Sequence, residues 1–353
     1  MKTTTEALVA GVGMVTSVGL SAAETAASVR SSIKRIREIP QVDRALRPIR
    51  MARVPDDCLP ELGTRNPGRP WEDRLVRLGL AAFGEGRGKG RGLPPPPLFL
   101  ALPRIHEIED DPADPYYLLD RLHRESGGAF DLVASDASHL GRGGGLAAVA
   151  RAAEAVQSGQ LPLALAGGMD SHELPRRLAN LDEDGRLASD SNPDGLVPGE
   201  GAAFLLILSP QMARSVGLEP LARIAGTAHG FEAGHFQSEE PYQGDGLATT
   251  VRDLLDQGTI GSKIRTVYSP MNGEPYWSKE WGVTLMRNVG GFDDDAQIHQ
   301  PADSYGDPGA ACGPLLAGLA SMGIAESYRK APCLVYASSD DGERVTLLLD
   351  SAG

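Results

Sequence analysis

Apolar residues fall along this chain in short continuous runs. Residues 8–16 (LVAGVGMVT), 98–102 (LFLAL), 130–138 (FDLVASDAS), 161–168 (LPLALAGG) and 199–208 (GEGAAFLLIL) each read as a strand covered on both faces, because a strand with one wet face would alternate in polarity. Helices separate them. Ser21 with Glu24 three positions later has the form of a capping box, so a helix is expected to open there. Residues 71–83 also read as helix, and LAAVARAAEAVQSG reads as a helix ended by Gly159. Strand, helix and strand in this order predict parallel pairing with a right-handed crossover.

Two stretches break the pattern. Residues 34–70 are rich in Arg, Pro and Asp without a sustained period, and are expected to be irregular surface structure. Residues 84–97, GEGRGKGRGLPPPP, oppose both helix and central strand and are expected to be an exposed loop, or a basic tether for an acidic partner.

The second half of the chain repeats the first at lower fidelity. LARIAGTAHG from Leu221 echoes residues 8–16, and IRTVYS from Ile264 answers DLVAS. PGAACGPLLAGLASMG from Pro308 answers the alanine-rich helix, PCLVYASS from Pro332 answers PLALAGG, and ERVTLLL from Glu343 answers GAAFLLIL. The expected organisation is two similar halves, 1–220 and 221–353, forming one compact unit with helices packed between two sheets. So long a period marks a duplication rather than a solenoid.

Composition narrows the function. With 34 Lys and Arg against 47 Asp and Glu the net charge is -13, which opposes binding to nucleic acid. Cys58, Cys312 and Cys333 are far apart and without a second ligand at metal spacing, so neither a disulfide framework nor a metal or cofactor site is expected. Reduced, cytoplasmic surroundings fit. Glu6 and the early glycines argue against reading the N-terminus as a secretory signal, and no run reaches the length of a membrane span.

Three segments carry a family resemblance: AGVGMVTSVGLSAAET near the start, SGQLPLALAGGMDS from Ser158, and DGLVPGEGAAFLLIL from Asp194. Together with the duplicated order they resemble the ketosynthase branch of the thiolase superfamily over nearly the whole chain. The resemblance implies a thiolase-like α/β fold, two β-α-β-α-β halves layered α/β/α/β/α.

That family carries a nucleophilic cysteine at the start of the helix after the strand matching DLVAS, where helix dipoles favour a thiolate. Aligning by the strand puts Ser138 there, and counting back from Gly159 puts Arg142 there. Because three successive glycines resist helix, the helix is expected to begin near residues 143–146, with residues 138–142 as an altered loop. Neither residue is a condensing nucleophile: serine needs a positioned base, and arginine stays protonated. Asn272 holds the position of the family's first catalytic histidine, and Gly306 or Asp307 that of the second. The family's glycine- and phenylalanine-rich gating loop is replaced by SSDDGE from Ser338.

Around these positions, Asn272 and Glu274 offer hydrogen bonds to an acyl or amide group, or form only an Asn-Gly turn. Tyr276, Trp277 and Trp281 concentrate aromatics near Asn272 as a candidate binding surface, and Arg142 is a further candidate binding residue. Asp307 suits a helix-capping charge as well as a catalytic one. His139 is expected to point away from Ser138, Cys312 to be a buried inert thiol, and His172, His229, His235 and His299 to be ordinary hydrogen-bonded or surface residues.

The function expected from this reading is a catalytically degenerate, auxiliary, scaffold or adaptor subunit that binds a protein partner or an acyl chain. It would form a homodimer, or a heterodimer with a related subunit, and engage protein cargo or an acyl carrier protein. The alternative is a divergent acyltransferase or thioester hydrolase using Ser138.

Overall fold

The computed structural model describes residues 5–66, 69–88, 90, 92–104 and 115–352. Strand β1 (Ala7–Thr16) is buried over its whole length, as its continuous apolar run predicts. Its alternate side chains nevertheless enter different cores: Ala7, Val9, Val12 and Met14 join one, and Leu8, Ala10 and Val15 the other. The parity changes at a register shift between Val9 and Gly11, where an extra residue turns the following side chains over.

Helix α1 (Ala22–Arg30) follows the expected cap. The Ser21 hydroxyl accepts from the Glu24 N–H at 3.2 Å, and the Glu24 carboxylate accepts from the Leu20 N–H at 2.8 Å, one residue earlier than a capping box requires.

The expectation of irregular structure over 34–70 is corrected. Strands β2 (Arg37–Val42) and β3 (Pro48–Met51) pair as an antiparallel hairpin, and a single 3-10 turn follows at Asp56–Cys58. Ile39, Ile49 and Met51 bury themselves against Leu178 and Leu187. So small a satellite core leaves too few apolar positions to show a period in the sequence.

Helix α2 (Pro70–Gly86) runs into the predicted 84–97 loop, and strand β4 (Pro97–Ala101) takes its last residue. The corrected loop is 87–96, of which residues 89 and 91 lie outside the described residues. Glycine lets the helix continue because the sheet is close: a Cβ on Gly86 would lie 2.7 Å from Phe204 Cβ.

Helix α3 (Pro115–Glu125) leads to β5 (Asp131–Ser138), helix α4 (Gly141–Gln157) and β6 (Leu163–Ser171). Strand β4 runs parallel to both β5 and β6, as the β-α-β reading predicts. The expectation that residues 130–138 are buried on both faces is corrected, since β5 ends the sheet and Val133 is 97% exposed.

The remainder is α5 (Pro175–Glu183), β7 (Glu200–Leu208), α6 (Pro210–Val216), β8 (Ala222–Phe231), α7 (Asp245–Asp256), β9 (Ile264–Tyr268), α8 (Pro275–Arg287), β10 (Phe292–His299), α9 (Ala302–Tyr305), α10 (Cys312–Ala325), β11 (Cys333–Ser338) and β12 (Glu343–Asp350).

The strands order as β10-β9-β11-β12-β8-β1-β7-β6-β4-β5. Five strands of each half meet through a short antiparallel ladder in which Ala7, Leu8 and Val9 oppose Ile224, Arg223 and Ala222. Read from either edge inward the order matches, which corrects one internal equivalence. Strand β9 stands where β4 does, and β10 answers β5; IRTVYS therefore does not answer DLVAS. Strand β10, FDDDAQIH, has no strand-like pattern because it too is a largely exposed edge.

Helices α4 and α10 form the middle layer, with Leu146, Val149, Leu315 and Leu319 in one core with the inward faces of the two five-stranded halves of the ten-stranded sheet. Helices α2 and α3 cover one outer face, with Leu75, Leu78 and Leu118 in the second core. Helices α7 and α8 cover the other, with Val251, Leu254 and Trp277 in the third. The layering is α/β/α/β/α, as the resemblance implies. No helix among the described residues is long and apolar enough to cross a membrane.

Candidate functional site

Helix α4 begins at Gly141, not at residues 143–146, so its three glycines lie inside the first turns. Packing overrides their poor propensity. A Cβ on Gly143 would sit 2.7 Å from Ser339 Oγ, and one on Gly145 would sit 2.3 Å from both the Ala310 carbonyl oxygen and Pro314 Cδ. The helix start is thus pressed against the turn after β11 and the segment leading into α10. Ser339 fixes the join by accepting from the Gly143 N–H at 2.7 Å.

At this junction Arg142 is buried, with 9% exposure. Its Nη2 donates to the Pro270 carbonyl at 2.6 Å, its Nε lies 3.0 Å from Asp307 Oδ2, and its guanidinium carbon is 4.7 Å from the centre of the Trp277 ring. Asn272 Nδ2 donates to the same Asp307 oxygen at 2.7 Å and to Glu274 Oε2 at 3.0 Å. Arg142, Asn272 and Asp307 therefore converge on one carboxylate oxygen.

The network continues outward. Glu274 is gripped by Arg186 through two bonds of 2.7 and 3.0 Å and accepts from Trp277 Nε1 at 3.0 Å. Arg186 also pairs with Asp340 at 2.7 Å. Asp307 Oδ1 accepts from the Gly309 N–H at 3.0 Å, so the residue serves the turn before α10 as a cap while holding Arg142. The turn reading of Asn272 has local support, because the Glu274 N–H donates to Asn272 Oδ1 at 3.2 Å.

Burial, the largest single influence, pulls the Arg142 guanidinium toward its neutral form, but Asp307, Cys312, Asp340 and Glu274 together outweigh it and leave its pKa raised. This is a charge-paired lock: arginine is a permanent cation, and asparagine carries no titrating proton. Glu274 is held by the bidentate Arg186 guanidinium.

Ser138 is placed elsewhere. It closes β5, its carbonyl accepting from the Leu102 N–H at 2.8 Å, and it does not line the cavity beside Arg142. His139 turns its Nδ1 to the Pro103 carbonyl. The reading of Tyr276, Trp277 and Trp281 as a binding surface is also corrected. Trp277 and Trp281 are core residues at 1% and 9% exposure, and Trp281 stacks on Tyr336 at 5.1 Å. Tyr276 is half-buried, its hydroxyl donating to the Gly234 carbonyl at 2.9 Å.

A cavity of about 190 Å³ opens beside the lock, bounded by Arg142, Asp307, Asp340, His172, Arg177 and Arg186 among others. Arg177 and Arg186 were not singled out from sequence, and His172, expected to be an ordinary hydrogen-bonded or surface residue, is buried at this cavity. The run SHELPRR directly after β6 was the available sign, since it sets His172 and Arg177 at the mouth of a buried strand. Arg177 pairs with Asp170 at 2.6 Å. His172 is held neutral, its pKa well below 6.5, by burial and then by Arg177, Arg186 and Arg142.

A histidine whose pKa is lowered on folding stabilises the native state above pH 6.5, and that contribution disappears as pH falls, because the unfolded chain takes up the proton first. His172→Gln is therefore expected to flatten the fall in unfolding free energy below pH 6.5 by up to about 1.4 kcal/mol per pH unit. Urea unfolding at a series of pH values checks this, and an unchanged slope would refute it.

Burial pushes the Cys312 thiol up to about 12, against a smaller opposite pull from Arg142. Of the three cysteines only Cys58 is exposed. Thiol titration of the native protein at pH 8 should give one fast equivalent at Cys58, with Cys312 and Cys333 reacting after denaturation. Fast alkylation at Cys312 would show a reactive sulfur in the site. Among the described residues, no group of three or more His, Cys, Asp or Glu is placed to hold a metal ion.

Residues 143–213 match the family described as Beta-ketoacyl synthase, N-terminal domain. That stretch starts one residue after Arg142 and ends before Asn272 and Asp307, so it bears on the scaffold. No curated protein sequence matches the chain.

Solved structures match nearly all of it. The ishigamide ketosynthase/chain length factor is 18% identical with a TM-score of 0.80, covering 99% of this chain and 100% of its own. A ketosynthase from module 6 of the bacillaene synthase of Bacillus subtilis 168 is 15% identical with a TM-score of 0.81, covering 99% and 72%. A type II PKS acyl-carrier protein in complex with its ketosynthase bound to the hexaketide is 14% identical with a TM-score of 0.79, covering 99% and 100%. This chain therefore has the thiolase-like α/β fold of the ketosynthases, with the β-ketoacyl synthase N-terminal domain signature over residues 143–213.

Proposed function

We propose that this protein is a ketosynthase-like auxiliary subunit in which the condensing centre has become a fixed charge network, and that it works by binding a protein partner or an acyl chain. The observation that carries this reading is the shared contact of Arg142 and Asn272 with Asp307 Oδ2, at 3.0 and 2.7 Å. In this reading Arg142 occupies the nucleophile position, and Asn272 and Asp307 stand for the two histidines. Arginine and asparagine can neither attack a thioester nor relay a proton at neutral pH, and the Asp307 oxygens are taken up by Arg142, Asn272 and the Gly309 N–H; loss of such groups costs orders of magnitude in rate.

The halves 1–220 and 221–353 act as one unit in this proposal. The exposed β5 edge, with Val133 outward, supplies unpaired backbone groups for a second copy or a related subunit. Two of the similar structures are a ketosynthase/chain length factor and a carrier protein in complex with its ketosynthase, which supports an acyl carrier protein as a partner. Three free cysteines suit a cytoplasmic setting.

Incubating the purified chain with acyl- and malonyl-carrier protein should give no condensation product, and purification from the source organism should recover a second protein with it. Recovery as a homodimer alone with steady turnover would defeat the proposal. An acyl adduct on Ser138 by intact mass would instead establish the acyltransferase or hydrolase alternative.

A further inference from the structure

Basic residues are unevenly spread along the chain. Residues 30–53 hold eight of its 34 Lys and Arg but two of its 47 Asp and Glu, so a chain of net charge -13 carries one strongly cationic segment, the β2-β3 hairpin and its flanks. Most of these cations are spent within the protein. Arg30, Arg44, Arg47, Arg50 and Arg53 pair with Glu326, Asp182, Asp43, Asp190 and Glu173. Lys34, Arg35 and Arg37 are exposed and have no ion pair among the described residues; the Arg35 side chain reaches the Ser17 carbonyl at 3.4 Å.

Arg35 and Arg37 border one groove of about 630 Å³, beside Pro40, Arg53 and Pro55. Its acidic side chains are Glu38 and Glu173, and Glu173 is taken up by Arg53 at 2.7 Å and Arg74 at 2.8 Å. Two unpaired guanidiniums are thus set against one unpaired carboxylate, and the groove attracts anions.

Size and the surrounding charge decide which anion. The volume is that of a pocket for a small ligand or a short segment of chain. A nucleic-acid duplex or a bilayer is far wider than the groove and would meet the acidic remainder of the protein. A phosphate is held by donors converging in a sheltered cradle, whereas Arg35 and Arg37 are exposed side chains two positions apart, an arrangement suited to single charges spaced along a chain. Pro40 interrupts the N–H donors along β2, so recognition falls to side chains rather than to strand addition.

We propose that this groove binds an extended acidic segment of a protein partner, its carboxylates pairing with the Arg35 and Arg37 guanidiniums. Arginine is the cation whose planar fork matches a carboxylate. The inference rests on the partner-binding reading above and names a surface and a chemistry for it. The two fail separately: failure to recover a partner from the source organism strikes that reading, while the groove is tested on the purified chain.

The probe is a short labelled peptide alternating glutamate and serine, with the glutamine-serine peptide as its uncharged counterpart. Fluorescence anisotropy with the full chain at low ionic strength should show saturable binding of the glutamate peptide, weakened by added salt, and binding of the glutamine peptide about tenfold weaker. An Arg35→Glu, Arg37→Glu variant, verified as folded by circular dichroism, should weaken the glutamate peptide about tenfold or more, the scale of two exposed ion pairs. An Arg252→Glu, Lys263→Glu variant changes the net charge equally at exposed positions elsewhere and should leave the affinity unchanged. No saturable binding, equal affinity for the two peptides, or equal losses in the two variants would overturn the proposal. So would tighter binding, dependent on Arg35 and Arg37, of inorganic phosphate, a single-stranded oligonucleotide or phosphatidylserine vesicles.

Discussion

Asp307→Ala should lower the unfolding free energy by about 3–5 kcal/mol, the cost of leaving a buried charge without its partner. Arg142 is 9% exposed, and among the described residues its other direct contacts include the Pro270 carbonyl and the Trp277 ring. The same change strips Asn272 Nδ2 of its 2.7 Å bond and uncaps Gly309. Replacing both partners, in an Arg142→Met, Asp307→Ala double variant, should recover most of that loss, since a buried ion pair contributes little net stability against apolar residues that fill its space. Urea unfolding at neutral pH reads both. An Asp307→Ala midpoint equal to the parent's would mean that the lock does not hold this junction together.

Gly145→Ala should destabilise the protein by about 2 kcal/mol or more, although alanine is the better helix former. The new Cβ would meet the Ala310 carbonyl oxygen and Pro314 Cδ at 2.3 Å, where α4 crosses the start of α10. Neither neighbour is a flexible side-chain tip, so the two middle-layer helices would have to separate. Gly282 in α8 gives the opposite case: it is exposed and nothing lies within 4 Å of its Cβ position. Gly282→Ala should therefore stabilise by about 0.5–1 kcal/mol. Thermal melts of the two variants should move in opposite directions; the same sign for both would show that α4 and α10 are not in contact through glycine.

The two results bear on the function together. A site whose centre is held by buried charge pairs and by glycine contacts between two helices is rigid, and its groups are spent on one another. In the proposed reading, rigidity of that kind serves presenting a surface or a bound group rather than moving protons.

The continuous apolar runs of β1, β6 and β7 and the Ser21 cap were legible because each is set by residues adjacent in the chain. The motifs after Ser158 and Asp194 likewise named the scaffold, and the family profile matches there. Strand β10 was not legible: an edge strand buries too little for its composition to need apolar residues, and its three aspartates stay wet. Nor was the start of α4, where glycine is chosen for contacts with Ser339, Ala310 and Pro314 and not for its own backbone.

By itself the sequence pointed to the layered fold and to a turn at Asn272, and under the resemblance it put no cysteine or histidine at the positions the family uses. Tertiary structure alone decided that Arg142 and not Ser138 borders the cavity, that Trp277 and Trp281 are core, and that His172 and Arg186 belong to the site. The reason is physical. Strands and caps form from bonds between near neighbours, whereas a buried charge is tolerated only where distant segments bring it a partner, and that meeting appears only when the sheets and helices have packed.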